Sequence, residues 1–136
     1  MTDSREIGAL VLRLAFGGMF LAHGLLKVVV FTLPGTAAFF ASQGFPGWTA
    51  YPVVAIELAA GVLLILGIQV RVVALATIPI LAGALLVHLP NGWVFSNPNG
   101  GWEYPAYLIV LAAVQALVGE GAYAVKAFRG ARLAHA

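Results

Sequence analysis

The sequence predicts an all-α integral membrane protein: a four-helix bundle with both termini cytoplasmic and a short interfacial helix in its first outer loop. Three observations carry that expectation. Of 136 residues, 62% are hydrophobic and only 9% charged, against about 25% charged in soluble domains. Four apolar stretches, at about residues 7–31, 49–66, 71–89 and 103–118, read as helices crossing a hydrocarbon core of about 30 Å. Clusters of Gly, Pro and Asn separate them. A chain of this length has no room for a separate soluble domain, so residues 1–136 form one transmembrane domain.

The first stretch sets the problem, because Arg13, His23 and Lys27 lie inside it. At about 100° per residue they share one arc with Phe16, Gly17, Phe20 and Gly24. The opposite arc holds Leu10, Leu14, Leu21, Leu25 and Val28. One face therefore turns toward protein and the other toward lipid. The run is longer than a signal-peptide core and is retained as a helix. Phe31 to Gly35 then stops it, and Thr36 to Ser42 forms the short interfacial piece with Thr36 as its N-cap.

The second stretch carries one ionisable residue, Glu57, and the third ends near His88. Only Gly67 to Val70 lie between them, which makes the two helices antiparallel neighbours. Arg5, Arg71, Lys126, Arg129 and Arg132 flank one end of the helices, while the loops at 32–48 and 90–102 contain no Lys or Arg. By the positive-inside rule both termini are cytoplasmic, and the aromatic loops face outward. The expected location is the bacterial cytoplasmic (inner) membrane, crossed several times, with membrane lipids as constant partners. The formal charge of +2 resides at helix ends and does not point to nucleic acid. With no cysteine, the chain can build neither a disulfide nor a thiolate metal site.

This topology gathers polar residues at the outer end. His23 and Lys27 come from the first helix, Glu57 from the second, His88 from the third, and Glu103, Tyr104 and Tyr107 from the fourth. Ala74, Thr77, Leu81, Ala84 and His88 share an inward stripe on the third helix, as do Tyr104, Leu111 and Gln115 on the fourth. The expectation is a polar pocket in the outer half of the bundle, lidded by Trp93 and Trp102, with Glu57 touching Lys27 or His23. An ionised carboxylate at that depth costs at least about 2.5 kcal/mol unless paired, protonated or hydrated. The structural alternative is a Lys27–Glu57 pair that only fixes helix register. Arg13 sits shallow enough to snorkel to the headgroups. Glycines 17, 24, 61 and 83 allow close helix approach. His23, His88 and a carboxylate could form a two-His site, but no pair has i, i+4 spacing and Lys27 would repel a cation, so no metal is expected.

The segment Phe20-x-x-His23-Gly24-x-x-Lys27 resembles the F-x-x-H-G-x-x-K signature of the DoxX family of small bacterial membrane proteins. Glu57-x-x-x-Gly61-x-x-Leu64-x-x-Gly67-x-x-x-Arg71 is similar to that family's second-to-third helix segment. His88, Gly100 to Glu103 and Gly119 to Tyr123 resemble its closing pattern, although the last turn lacks the family's frequent proline. The likeness runs from about Leu10 to Val125. It implies a four-helix membrane protein linked to oxidoreductase assemblies, including subunits of thiosulfate:quinone oxidoreductase.

Three functions fit these residues. In the first, a redox-associated subunit binds a quinone or similar lipophilic molecule. Lys27 and His23 donate hydrogen bonds, Glu57 relays protons, and Trp93, Trp102 and Tyr104 flank the ring. His88, Glu103 and Tyr107 are further ligand contacts. If the chain is an enzyme it is an oxidoreductase component that does not act alone, and neither a haem-ligand pair nor a flavin motif is present. In the second, the protein is a scaffold recruiting oxidoreductase partners. In the third, it is a small proton-coupled transporter, which would require a homo-oligomer.

Overall fold

The computed structural model describes residues 1–125. The basic tail of Lys126, Arg129 and Arg132, and His135, lie outside the described residues. Those described form five α-helices: α1 (Ser4–Val29), α2 (Leu33–Ser42), α3 (Ala50–Leu66), α4 (Val70–His88) and α5 (Glu103–Val118). Short 3-10 turns precede α3 at Gly47–Thr49 and follow α4 at Leu89–Asn91. Three helical segments are long and apolar enough to cross a membrane, namely Ser4–Val29, Gly47–Leu66 and Val70–Asn91. The fourth stretch, α5, is equally a helix but has 16 residues, about 24 Å at 1.5 Å per residue.

The prolines mark helix starts more than helix ends. Pro34 does not terminate α1 but opens α2, whose N-cap is Thr32, with its hydroxyl accepting from the Gly35 amide. Thr36, expected at that cap, lies inside the helix. Its hydroxyl donates to the carbonyls of Thr32 and Lys27 at 2.8 and 3.2 Å, tying α2 to the last turn of α1. Pro52 and Pro105 fall in the first turns of α3 and α5, where an amide would have no intrahelical partner anyway.

α1 packs along α3 and α4 along α5, while α3 meets α4 and α1 meets α5. The α1 face is the one its periodicity indicates: Arg13, Phe16, Gly17, Phe20 and Gly24 are buried, and Leu14, Leu25 and Val28 are exposed. Leu21 departs from that pattern because α3 lies against its backbone. A Cβ on Gly61 would stand 2.7 Å from the Leu21 amide, and one on Gly17 would stand 2.9 Å from the Gly61 carbonyl. Gly24 is likewise closed in by Leu58. Gly83 is not a contact glycine, since nothing lies within 4 Å of a Cβ there. Gly61→Val should therefore push α1 from α3 and cost about 1–3 kcal/mol, seen as a lowered Tm in detergent, whereas Gly18→Val on the open face of α1 should leave Tm unchanged.

On α4 the stripe of Ala74, Thr77 and Leu81 is buried as expected. On α5 Gln115 is buried and Leu111 partly buried as expected, but the face is rotated at the start of the helix. Pro105, Leu108, Ala112 and Gln115 are buried, while Tyr104 and Tyr107 are exposed. Phe16 and Phe20 meet edge to face at 4.9 Å. They share a core with Leu64, Val70, Leu81, Leu108 and Ala112.

At one end of the helices, two arginines cap their neighbours. Arg13 does not snorkel; it is only 1% exposed. Its Nη1 donates to the carbonyls of Leu64 and Ile65 at 3.3 and 3.0 Å, and its Nη2 to Ala122 O at 2.7 Å. These are acceptors that the end of α3 and the chain beyond α5 leave over. Gly67 ends α3 at φ +75°, with the amide of Ile68 returning to Leu63 O and its own to Leu64 O. A side chain at Gly67 would also collide with the Arg13 guanidinium. Arg71 serves α5 in the same way, donating at 2.8 Å to Ala116 O and Leu117 O. Gln115 Nε2 bonds to Gly119 O at 2.9 Å, and the amide of Ala122 bonds to Glu6 O, which closes the turn after α5 onto α1.

Candidate functional site

The opposite end holds the polar residues. Lys27, in the last turn of α1, donates from Nζ to both carboxylate oxygens of Glu57 on α3, each at 2.9 Å. Their side chains are 20% and 8% exposed. The contact of Gly24 with Leu58 brings α1 and α3 close enough for the pair to form one turn further along. Of the two expected partners of Glu57, it is Lys27 that engages it.

His23 is held differently. Its Nδ1 lies 2.8 Å from the Met19 carbonyl, one turn back on the same helix. A carbonyl can only accept, so Nδ1 carries the proton and, in the neutral ring, Nε2 carries the lone pair. The expected donor role of His23 is therefore spent on the backbone, and the nitrogen left over is an acceptor. The ring faces Tyr104, with centroids 6.5 Å apart and planes inclined by 32°.

These groups border a cavity of about 480 Å³ between α1, α3, α4 and α5, covered by α2 and the segment after it. Glu57, His23, Lys27, His88 and Tyr104 all line it. Its aromatic wall consists of Phe39, Phe40 and Phe45, with Phe20 below. Sequence reasoning missed those three phenylalanines. Phe39 and Phe40 belong to a helix too short to span and Phe45 to the turn after it, and nothing in their local pattern says that they fold over the core. Trp93 and Trp102, expected as the lid, are not among the lining residues; Trp93 is 62% exposed. Glu103 and Tyr107 line a second, more open hollow of about 770 Å³, which shares His88, Tyr104 and Pro105 with the first.

His88 thus stands on the partition between the two spaces, and its Nδ1 is buried with no hydrogen-bond partner. The loop after α4 is knitted by asparagines. Asn91 donates to Gly100 O at 2.9 Å and Asn97 to Asn91 O at 2.9 Å, while the amides of Trp102 and Glu103 return to Gly92 O and Trp93 O. That folding sets Gly100 beside the His88 ring, where a Cβ would come 3.8 Å from Nδ1. Among the described residues, no three His, Asp or Glu side chains gather into a metal-binding group.

Apolar membrane-length helices around a cavity, with an ion pair on its wall, define the class as a helical membrane protein. The profile of the DoxX family matches residues 8–89, more than half of the chain, and the protein belongs to that family. It is similar to the protein named "Putative oxidoreductase CatD" from Bacillus subtilis (strain 168), at 42% identity over 86 residues. The match covers 63% of this chain and 63% of that relative, a little under two thirds of its length. No solved structure matches the chain significantly. The family match includes His23, Lys27, Glu57 and His88, and ends before Tyr104 and α5.

Proposed function

We propose that this protein is a redox-associated subunit of the bacterial inner membrane, a four-helix bundle with cytoplasmic termini that binds a quinone or similar lipophilic ring in its outer cavity. One observation carries the reading. Among the described residues lining a mainly apolar cavity of about 480 Å³, Lys27 and Glu57 are the only Lys, Arg, Asp or Glu. Pockets for small organic ligands fall in this size range, with few polar groups set in an apolar wall. The oxidoreductase name of the relative supports a redox role. The absence of Lys and Arg from the loops at this end, with Arg5 and Arg71 at the other, supports the orientation.

A quinone supplies reversible two-electron chemistry at a ring whose oxygens accept hydrogen bonds. The residues present suit such a group. Lys27 has three N–H donors, of which Glu57 takes two, so one remains for a ligand oxygen. The buried His88 Nδ1 lacks a partner that a ligand could provide. Phe39, Phe40 and Phe45 offer the ring an apolar aromatic wall, and Glu57 orients the ammonium group and holds the counter-charge beside it.

Mass spectrometry of small molecules co-purifying with the solubilised protein tests the proposal. The expected result is a near-stoichiometric quinone-class molecule, reduced about fivefold in Glu57→Gln, the effect of losing roughly 1 kcal/mol of orienting hydrogen bond. The completeness of the Lys27–Glu57 pair favours one competing reading, a scaffold in which the pair fixes helix register. That reading predicts only bulk phospholipid in both samples and a co-purifying oxidoreductase partner.

A further inference from the structure

Resting on the pocket reading above, we infer that the cavity selects the hydroxyl-bearing, reduced form of its ring ligand over the carbonyl-bearing, oxidised form. The donors and acceptors of the wall are divided between two neighbouring side chains. His23, a lining residue of the cavity, gives its Nδ1 proton to Met19 O at 2.8 Å, which leaves Nε2 of the neutral ring as a lone-pair acceptor. Lys27, one turn along the same helix face, has one ammonium proton beyond those taken by Glu57. The two neighbours thus present opposite demands, one for a donor and one for an acceptor.

A phenolic hydroxyl meets both demands, because it donates one proton and accepts through its oxygen. A quinone carbonyl meets only the demand of Lys27 and sets an oxygen lone pair against that of His23. The unpartnered His88 Nδ1 does not discriminate, since its own ring can carry the proton on either nitrogen. Nor does the aromatic wall of Phe39, Phe40 and Phe45, which contacts either form through ring carbons. Selection therefore rests on His23. Because the reduced form is held more tightly, the bound couple is easier to reduce than the free one.

The experiment is anaerobic equilibrium dialysis of the protein in lipid nanodiscs against three ligands built on one tetramethyl ring: tetramethylhydroquinone, tetramethylbenzoquinone, and the dimethyl ether of the hydroquinone. The hydroquinone should bind about tenfold more tightly than the quinone, the consequence of one buried polar group left unpaired. The ether, which cannot donate, should lose that advantage with the protein unaltered. His23→Phe should bind both redox forms equally. Equal affinity for quinone and hydroquinone in the wild type, or tighter binding of the quinone, overturns the inference and leaves the pocket intact. Failure of all three to bind overturns the pocket reading and the inference with it.

Discussion

Arg13→Met is expected to destabilise the protein by about 2–4 kcal/mol, the cost of leaving the Ile65 and Ala122 carbonyls without the guanidinium donor, while the Leu64 carbonyl keeps the Gly67 amide. The guanidinium bonds Leu64 O, Ile65 O and Ala122 O, and so joins α1, the end of α3 and the turn beyond α5. Glu120 adds an opposing charge. Methionine fills much of the volume but supplies no N–H. Lysine restores the charge but not the fork, and one ammonium on a different stem cannot serve both helix end and turn. Arg13→Lys should therefore recover only part of the loss. Unfolding in mixed micelles, followed by circular dichroism, measures the difference. A Tm for Arg13→Met within a degree or two of wild type would show that the capping contacts contribute little.

Lys27→Met should rank beside it, for a different reason. It leaves the Glu57 carboxylate, 8% exposed, without its cation, and breaking a buried pair costs about 3–5 kcal/mol. Glu57→Gln should cost less, because a lysine in the last turn of α1 can swing its ammonium toward the interface. The double variant Lys27→Met/Glu57→Gln should regain most of the stability lost by Lys27→Met alone. A double-mutant cycle on the same unfolding transition isolates the coupling. If the double variant is no more stable than Lys27→Met, the unpaired carboxylate is not what destabilises the single variant.

The two pairs of contacts differ in how far they could be read from the chain. Lys27 and Glu57 were legible as partners because helical periodicity puts Lys27 on the protein-facing arc of α1. The alternation of spans then brings the outer ends together. The glycines of the α1–α3 contact were legible for the same reason. The partners of Arg13 were not, because they are backbone carbonyls, which every residue has; its near-complete burial rests on where Gly67 and Ala122 turn. The rotation of α5 was also hidden. That helix is apolar on nearly every side, so Tyr104 and Pro105 compete for the inward position without a periodic signal to choose between them. The cover over the cavity was the largest omission. Phe39, Phe40 and Phe45 are ordinary interfacial residues until α2 is tied to Lys27 O through Thr36, whereas Trp93 and Trp102, the more conspicuous aromatics, stand off the cavity.

The cavity between α1, α3, α4 and α5 is proposed to hold a ring-bearing ligand, and Gly83 gives the most direct access to it. Gly83 lines the cavity, and a Cβ there meets nothing within 4 Å, so Gly83→Leu fills ligand space without displacing packed atoms. Gly18→Leu is the matched control, an equally open glycine on α1 that does not line the cavity. The measurement is the amount of ring-bearing small molecule co-purifying per protein for the wild type and both variants, with Tm recorded on the same samples. The expected result is near-stoichiometric ligand in wild type and Gly18→Leu, its loss in Gly83→Leu, and no fall in Tm for either variant in ligand-free detergent. Ligand retained by Gly83→Leu at the wild-type level, or absent from all three, would contradict it.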